Sequence, residues 1–262
     1  MTKSNLNLSR FILPNWPAPA NVHALQTNRY GGCSAIGFSK APYDSFNLGS
    51  HVGDNPMHVA KNRQLLSQFV PSEPVWLNQV HGINVVDAAN TSCMPDADAS
   101  FTMHINVVCV TMTADCLPIL VCNTAGTLVA SIHAGWRSLC DGVIEVTISK
   151  LNAKPENLMA WLGPAIGPNA FEVGGEVREQ FIAQDGQAQA AFKPHKNDKQ
   201  EQSKWLANIY QIATQRLNNL GVTQIYGGGI DQNFCTYTDR ENFFSFRRDG
   251  VTGRMASLIW LE

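Results

Sequence analysis

Residues 107–138 read VVCVTMTADCLPILVCNTAGTLVASIHAGWRS, and the succession of patterns in this stretch sets the expected fold. Residues 107–112 and 117–122 are β-rich apolar runs on either side of Thr113-Ala114-Asp115-Cys116, and 128–133 is a third such run. The third leads through Gly135-Trp136-Arg137 into a segment where Leu139, Val143, Val146 and Leu151 recur at helical spacing. Hairpin-like strand pairs mixed with helices predict an α+β fold, a layered sandwich with mixed sheets.

The same reading extends outward. Residues 22–27 are expected as a strand ended by a Gly31-Gly32 turn. Asn55 before Pro56 gives an N-cap with proline at the first helical position, and Val59, Leu65, Leu66 and Phe69 form that helix's apolar face. Residues 75–77 and 83–86 are expected as strands flanking a loop over 78–82. Residues 158–162 read as a strand closed by Gly163-Pro164, and 224–226, 243–246 and 255–261 as further strands. An amphipathic helix is expected over 205–219, through Leu206, Ile209, Ile212, Ala213 and Leu217, capped by Gly221. Residues 185–204, DGQAQAAFKPHKNDKQEQSK, form the most polar stretch and are expected as an exposed loop. No repeat or linker divides the 262 residues, so a single domain over 1–262 is expected, with 1–20 as an N-terminal extension.

A formal charge of −2 gives no basic surface of the kind that displaces counterions from a polyanion, so nucleic acid is not an expected partner. A local cluster of arginines can still meet a small anion. Seven cysteines form no CxxC pair, and a chain of this size folds without disulfide staples, which favours reduced thiols. The apolar run Phe11-Ile12-Leu13 near the N-terminus is too short for a signal-peptide core or a membrane span. A cytoplasmic protein with no membrane partner is expected.

Three segments set a metal-capable side chain beside a strand end: Gln79-Val80-His81-Gly82, Ala114-Asp115-Cys116-Leu117 and His133-Ala134-Gly135-Trp136-Arg137. Two imidazoles and a thiolate suit zinc, and three protein ligands leave a fourth tetrahedral position for water or substrate, as in catalytic rather than structural sites. The intervals between the three match no compact zinc motif, so only the fold can unite them. Taken singly, Cys116 equally suits a small buried apolar position and His81 a turn. Asp115 is the nearest carboxylate in sequence, a candidate proton shuttle or orienting partner for a ligand histidine, although neighbours on a strand face opposite ways. Of the other histidines, His51 lies in the 49–54 loop and is placed to line a pocket. Arginines form a second theme: Arg247-Arg248 follow Phe243-Phe244-Ser245-Phe246, with Arg63, Arg137 and Arg254 elsewhere. Guanidinium forks suit phosphate and aromatic neighbours suit a purine. The run Gly227-Gly228-Gly229 lacks a GxGxxG or Walker pattern.

The stretches NLGSHVGD (47–54), KNR (61–63), NQVHG (78–82), TADCLPIL (113–120), HAGWRS (133–138), WLGPAIGP (161–168), FEVG (171–174) and FFSFRRDGVTGR (243–254) together resemble the YfiH-like family, in order and across nearly the whole chain. The resemblance implies an α/β/β/α sandwich and places the family's metal ligands on His81, Cys116 and His133. The family carries a multicopper polyphenol oxidase, or laccase, label alongside a description as purine nucleoside phosphorylases that also deaminate adenosine. Purine nucleoside and phosphate are therefore the implied partners, with zinc as the metal and copper as the alternative. The implied phosphorolysis takes adenosine, inosine or methylthioadenosine to free base and ribose 1-phosphate.

On that reading Arg63, Arg247 and Arg248 are the candidates for holding phosphate, and Asn47 and Gln79 for contacting ribose or base. Deamination would follow from metal-activated water adding to C6 of adenine. A laccase needs a blue-copper centre and a separate copper cluster, for which seven histidines without a His-x-His pair are too few. Two rival readings stand beside these. One makes Cys116 a nucleophile and His133 or His81 its base, in an amide hydrolase editing peptidoglycan precursors, an activity linked to some family members. The other is a metal-binding module without turnover.

Overall fold

The computed structural model describes residues 11–31, 37–91, 94–195, 204–228 and 234–262. Its strands are β1 (Val22–Gln26), β2 (Val85–Asp87), β3 (Ala99–Thr102), β4 (Cys109–Thr113), β5 (Leu117–Asn123), β6 (Val129–Ala134), β7 (Leu158–Leu162), β8 (Glu172–Gly174), β9 (Phe192–Pro194), β10 (Lys204–Ala207), β11 (Gln224–Gly227) and β12 (Met255–Leu261). Its α-helices are α1 (Pro56–Leu66), α2 (Trp136–Asp141), α3 (Val143–Lys150), α4 (Gly175–Gln184), α5 (Ile209–Asn219) and α6 (Phe246–Asp249). Among the described residues, none of these helices is long and apolar enough to cross a membrane.

Alternation along the strands creates the layers. In β12, Ala256, Leu258 and Trp260 pack with Leu66 of α1, while Ile259 and Leu261 turn the other way and meet Leu120, Met159 and Trp161. In β5, Leu120 and Cys122 face that inter-sheet layer, whereas Leu117, Ile119 and Val121 pack against Ile144 and Ile148 of α3 and Ile212 and Leu217 of α5. The order is therefore α1, the sheet β1-β12-β4, the six-stranded sheet β11-β7-β5-β6-β3-β2, and helices α2–α5. This is the α/β/β/α sandwich of an α+β protein. The six-stranded sheet is mixed, with β2 parallel to β3 and β11 parallel to β7 among antiparallel neighbours. A small third sheet, β8-β10-β9, adds Val173, Phe192 and Ala207 to the core on the helical side.

Several sequence expectations need correction. The helix expected from residue 205 begins at Ile209, because Asn208 accepts the N–H of Gln211 as an N-cap and residues 204–207 pair instead with β8 and β9. Residues 243–246 are not a strand. They pair with no strand, and Ser245 instead caps the short α6 by accepting from Arg248 N. The helix expected through 139–151 is broken at Gly142, whose φ of 99° lies in the left-handed region. Residues 75–77 contribute a bridge from Val75 to Cys109 rather than a strand. The polar stretch 185–204 holds a 3₁₀ turn (Gly186–Ala191) and β9, and 196–203 lie outside the described residues, as do Gly32 and Gly229. Short β3 and β8, and helix α4, had no clear periodic signal.

The helix capped by Asn55 is as expected, with Asn55 Oδ1 accepting from Met57 N at 2.9 Å. Its inward face carries one polar residue, the fully buried Asn62. Asn62 Oδ1 accepts the N–H of Phe38 (2.8 Å), and Nδ2 lies within bonding distance of Ser39 Oγ (3.0 Å), Ser45 O (3.2 Å) and Asn47 O (2.8 Å). One amide thus anchors the approach to the 47–54 loop. Asn62→Ala would strand several buried polar groups, and urea unfolding should show a loss on the order of 3 kcal/mol. A loss below about 1 kcal/mol would mean that water replaces the amide there.

Candidate metal centre and its cavity

Strand register brings the three segments together. In the antiparallel β5–β6 pair, Leu117 lies opposite Ala134 and Pro118 opposite His133. Cys116, one residue before β5, is therefore carried to the His133–Gly135 corner. His81 arrives from the turn before β2, with a positive φ of 60°, rare for a residue with a side chain. The ligand atoms of His81, Cys116 and His133 all lie within 4.8 Å of one another, and His81 Nε2 stands 3.6 Å from Cys116 Sγ. Zn–S and Zn–N bonds of ordinary length at a tetrahedral angle give an S···N separation of about 3.6 Å, so the His81–Cys116 pair has the spacing of two ligands of one zinc-sized ion, with His133 close enough to be the third. Gly135 completes the corner, since a Cβ there would stand 2.6 Å from His81 Cδ2 and 3.2 Å from Cys116 Sγ.

The carboxylate that organises this corner is Asp98, which the sequence reading did not single out. It is fully buried just before β3. Asp98 Oδ1 lies 2.7 Å from His133 Nδ1, which leaves Nε2 of that ring as the ligand atom. The same carboxylate accepts the N–H groups of Val80 (3.3 Å), His81 (3.0 Å) and Gly82 (2.6 Å). It thereby orients one histidine by its ring and the other by its backbone. Asp115 does not orient a ligand histidine. Its φ of 92° takes it off the strand, and its carboxylate accepts from Thr236 Oγ1 (2.6 Å) and Arg247 N (2.6 Å).

A cavity of about 410 Å³ opens onto the trio. Trp136, Ile166, Phe171, Ile209 and Phe246 give it apolar and aromatic walls, and Arg137, Arg247, Arg254 and His51 give it a cationic and polar one. Of the residues expected to meet substrate, Arg247 and Gln79 line this cavity. Gln79 is already engaged at both ends, donating to Met112 O (2.8 Å) and accepting from Met112 N (2.7 Å). Asn47, Arg63 and Arg248 are not among the lining residues. Asn47 is fully buried. Arg63 stacks on Trp76 at 3.8 Å and donates to Leu48 O. Arg248 is held by Asp249 and by the carbonyls of Thr236, Tyr237 and Phe243. The guanidiniums of Arg63 and Arg248 are thus engaged by the protein itself and are not presented to the cavity.

The electrostatics single out one thiol. Burial pushes the Cys109 and Cys122 thiols up to about 12. Burial acts on Cys116 in the same direction, but the charge of His133 and hydrogen bonds from both histidines outweigh it and bring its thiol down to about 6. His133 is affected reciprocally. Burial disfavours its imidazolium, yet the Cys116 thiolate and the Asp98 carboxylate raise it to about 9. Without a metal, the thiolate and the imidazolium thus each favour the charged form of the other.

Two outcomes follow from this geometry. In metal-stripped protein, iodoacetamide labelling of the Cys116 peptide, read by mass spectrometry, should rise with a midpoint near pH 6, against about 8.5 for a free thiol. Asp98→Asn removes an anion that supports the imidazolium, so this midpoint should move to higher pH. The same change should weaken zinc binding by about 10- to 100-fold in a chelator competition. Unaltered zinc affinity would show that the carboxylate does not orient the ligands.

Comparison with known proteins places this arrangement in context. Residues 23–262 match the family model described as multi-copper polyphenol oxidoreductase laccase. The chain is 54% identical to a protein of Escherichia coli K12 named purine nucleoside phosphorylase YfiH, over 97% of this chain and 100% of that one. It is 53% identical to a purine nucleoside phosphorylase of Haemophilus influenzae, over 96% and 99% of the two chains. Among solved structures it superposes on a Neisseria meningitidis protein with a TM-score of 0.89 at 47% identity, over 97% of this chain and 99% of that one. A Bacillus licheniformis protein titled YfiH gives 0.83 at 26% identity, over 98% of each chain. With a family model spanning all but its first residues and curated relatives matched end to end, the chain belongs to the YfiH family of laccase-labelled proteins.

Proposed function

We propose that the chain is a purine nucleoside phosphorylase that also deaminates adenosine. The observation that carries this reading is the joining, in one cavity, of a His81–Cys116–His133 ligand set, an aromatic wall and guanidiniums that have no carboxylate partner among the described residues. The names of the relatives supply the substrate class. In phosphorolysis, an oxygen of hydrogen phosphate forms a bond to C1′ of the ribose as the C1′–N9 bond breaks. The bonding pair leaves with the purine, which takes up the proton that the phosphate gives up. Cationic side chains hold the phosphate and offset its charge, while Trp136, Phe171 and Phe246 offer ring faces to the base.

His81, Cys116 and His133 would hold zinc, with copper as the alternative occupant of the same donors. Such an ion supplies Lewis acidity and lowers the pKa of water, which is the chemistry that deamination of adenosine to inosine and ammonia requires. Asp98 keeps His133 in the tautomer that can ligate. A multicopper oxidase needs a second, separate copper cluster, and the described residues gather one ligand group of three.

One observation favours a second reading. Cys116, His133 and Asp98 stand in the relation of nucleophile, base and orienting acid, with the thiol already lowered. That array suits an amide hydrolase working without a metal.

Elemental analysis of the purified protein together with chromatography of inosine and adenosine, with and without phosphate, separates the readings. Hypoxanthine and ribose 1-phosphate from inosine, and inosine from adenosine, are the expected products. Cys116→Ala should abolish both reactions and leave less than about one-hundredth of the bound metal. Turnover that survives chelation but is lost on alkylation would favour the hydrolase, and metal uptake without any turnover would reduce the chain to a binding module.

A further inference from the structure

Arg254 directly precedes β12 and is held there from two sides. Its backbone N–H donates to Asn47 Oδ1 (2.8 Å), which also takes the N–H of Gly49 (2.9 Å). Asn47 Nδ2 donates in turn to Gly49 O (3.1 Å) and Asp54 Oδ2 (2.9 Å), so one buried amide ties Arg254 to the 47–54 loop. The arginine stem runs directly over Gly49, where a Cβ would stand 2.8 Å from Arg254 Cγ. Nη1 donates to the carbonyls of Thr252 (3.1 Å) and Gly253 (3.0 Å). Nε and Nη2, the edge that binds an oxyanion with two parallel hydrogen bonds, make none among the described residues.

No carboxylate of the described residues lies within ion-pair distance of Arg254. Burial lowers its pKa, and Cys116 and Asp115 oppose this only as neighbouring charges. The guanidinium also lies over the Phe246 ring, 5.8 Å from its centroid, which shields one face but leaves the Nε–Nη2 edge open, and an anion on that edge would offset the cost of burying the charge. A divalent metal on the adjacent trio would make the cavity more positive still. Arg137 and Arg247 also face the cavity but are exposed to water, where a single ion pair is worth little, and Arg247 Nη1 is engaged by Glu172 O at 2.7 Å. His51 lines the same cavity. Partial desolvation, then the charges of Arg254 and Arg63, lower its pKa, so at neutral pH it does not add a further cation.

The geometry points to Arg254 as the residue that seats the phosphate, through its Nε–Nη2 edge, with Asn47 and Gly49 as the residues that position it. This rests on the phosphorylase reading only for the identity of the anion. Asn47 thus serves the substrate through Arg254 rather than by touching ribose.

Initial rates of inosine phosphorolysis by the metal-loaded full chain, taken across orthophosphate concentrations, test the assignment. Arg254→Gln should raise KM for phosphate at least about tenfold while KM for inosine changes by less than about twofold. Gly49→Ala, which keeps the guanidinium but displaces its stem, should do the same. A phosphate KM within about twofold of the wild type in Arg254→Gln, or equal rises in both constants, overturns the assignment. Thermal unfolding with orthophosphate gives a readout independent of turnover: phosphate should raise Tm in the wild type and not in Arg254→Gln. If phosphate protects through Arg254 but inosine is not cleaved, the anion seat stands and the phosphorylase reading falls. If inosine is cleaved and phosphate protects both proteins alike, the seat alone falls.

Discussion

The buried carboxylate of Asp98 is the constraint from which the metal corner follows. A carboxylate removed from water must be surrounded by donors, and here the donors are three successive backbone N–H groups and one imidazole. Satisfying the charge bends the chain at residues 80–82 around it and holds His81 in a backbone conformation it would not choose alone. It also fixes which nitrogen of His133 carries the proton. A single solvation requirement therefore places two imidazoles, and the sulfur of Cys116 comes close to both where Gly135 leaves room.

The sandwich supplies the rest of the precision. Ile132 and Ala134 of β6 belong to the layer under the helices, and His133 between them points the other way. A slip of one residue in β6 would turn His133 into the helical layer and bring an apolar residue to the corner. The register is held by burial on both faces of β5 and β6, and it is this packing, more than any local motif, that makes the ligand set reproducible.

Arginine has two distinct uses in this fold. Arg63, Arg216 and Arg248 do not line the cavity and are engaged by carbonyls, an aromatic face or a carboxylate elsewhere in the fold. Arg137, Arg247 and Arg254 face the cavity and have no carboxylate partner among the described residues. The two classes are indistinguishable by residue type. They differ in what surrounds the guanidinium, which is a property of the folded chain.

Much of this protein is determined by local chemistry that can be read from its residues. Apolar runs form β4, β5, β6, β7 and β12 where expected, because these strands are buried on both faces, and Asn55-Pro56 starts α1 because an amide cap and a fixed φ favour helix. His81, Cys116 and His133 stood out as soft donors at strand ends, and the structure brings their ligand atoms together. The tertiary structure alone decided that Asp98 rather than Asp115 orients a ligand histidine, that Arg248 is held by backbone carbonyls while Arg254 keeps an open edge, and that 204–207 pair as a strand. The reason is physical. Whether a carboxylate, a guanidinium or a short apolar run meets water, a hydrogen-bond partner or a ligand depends on neighbours distant in sequence, and those neighbours are assigned only when the layers close.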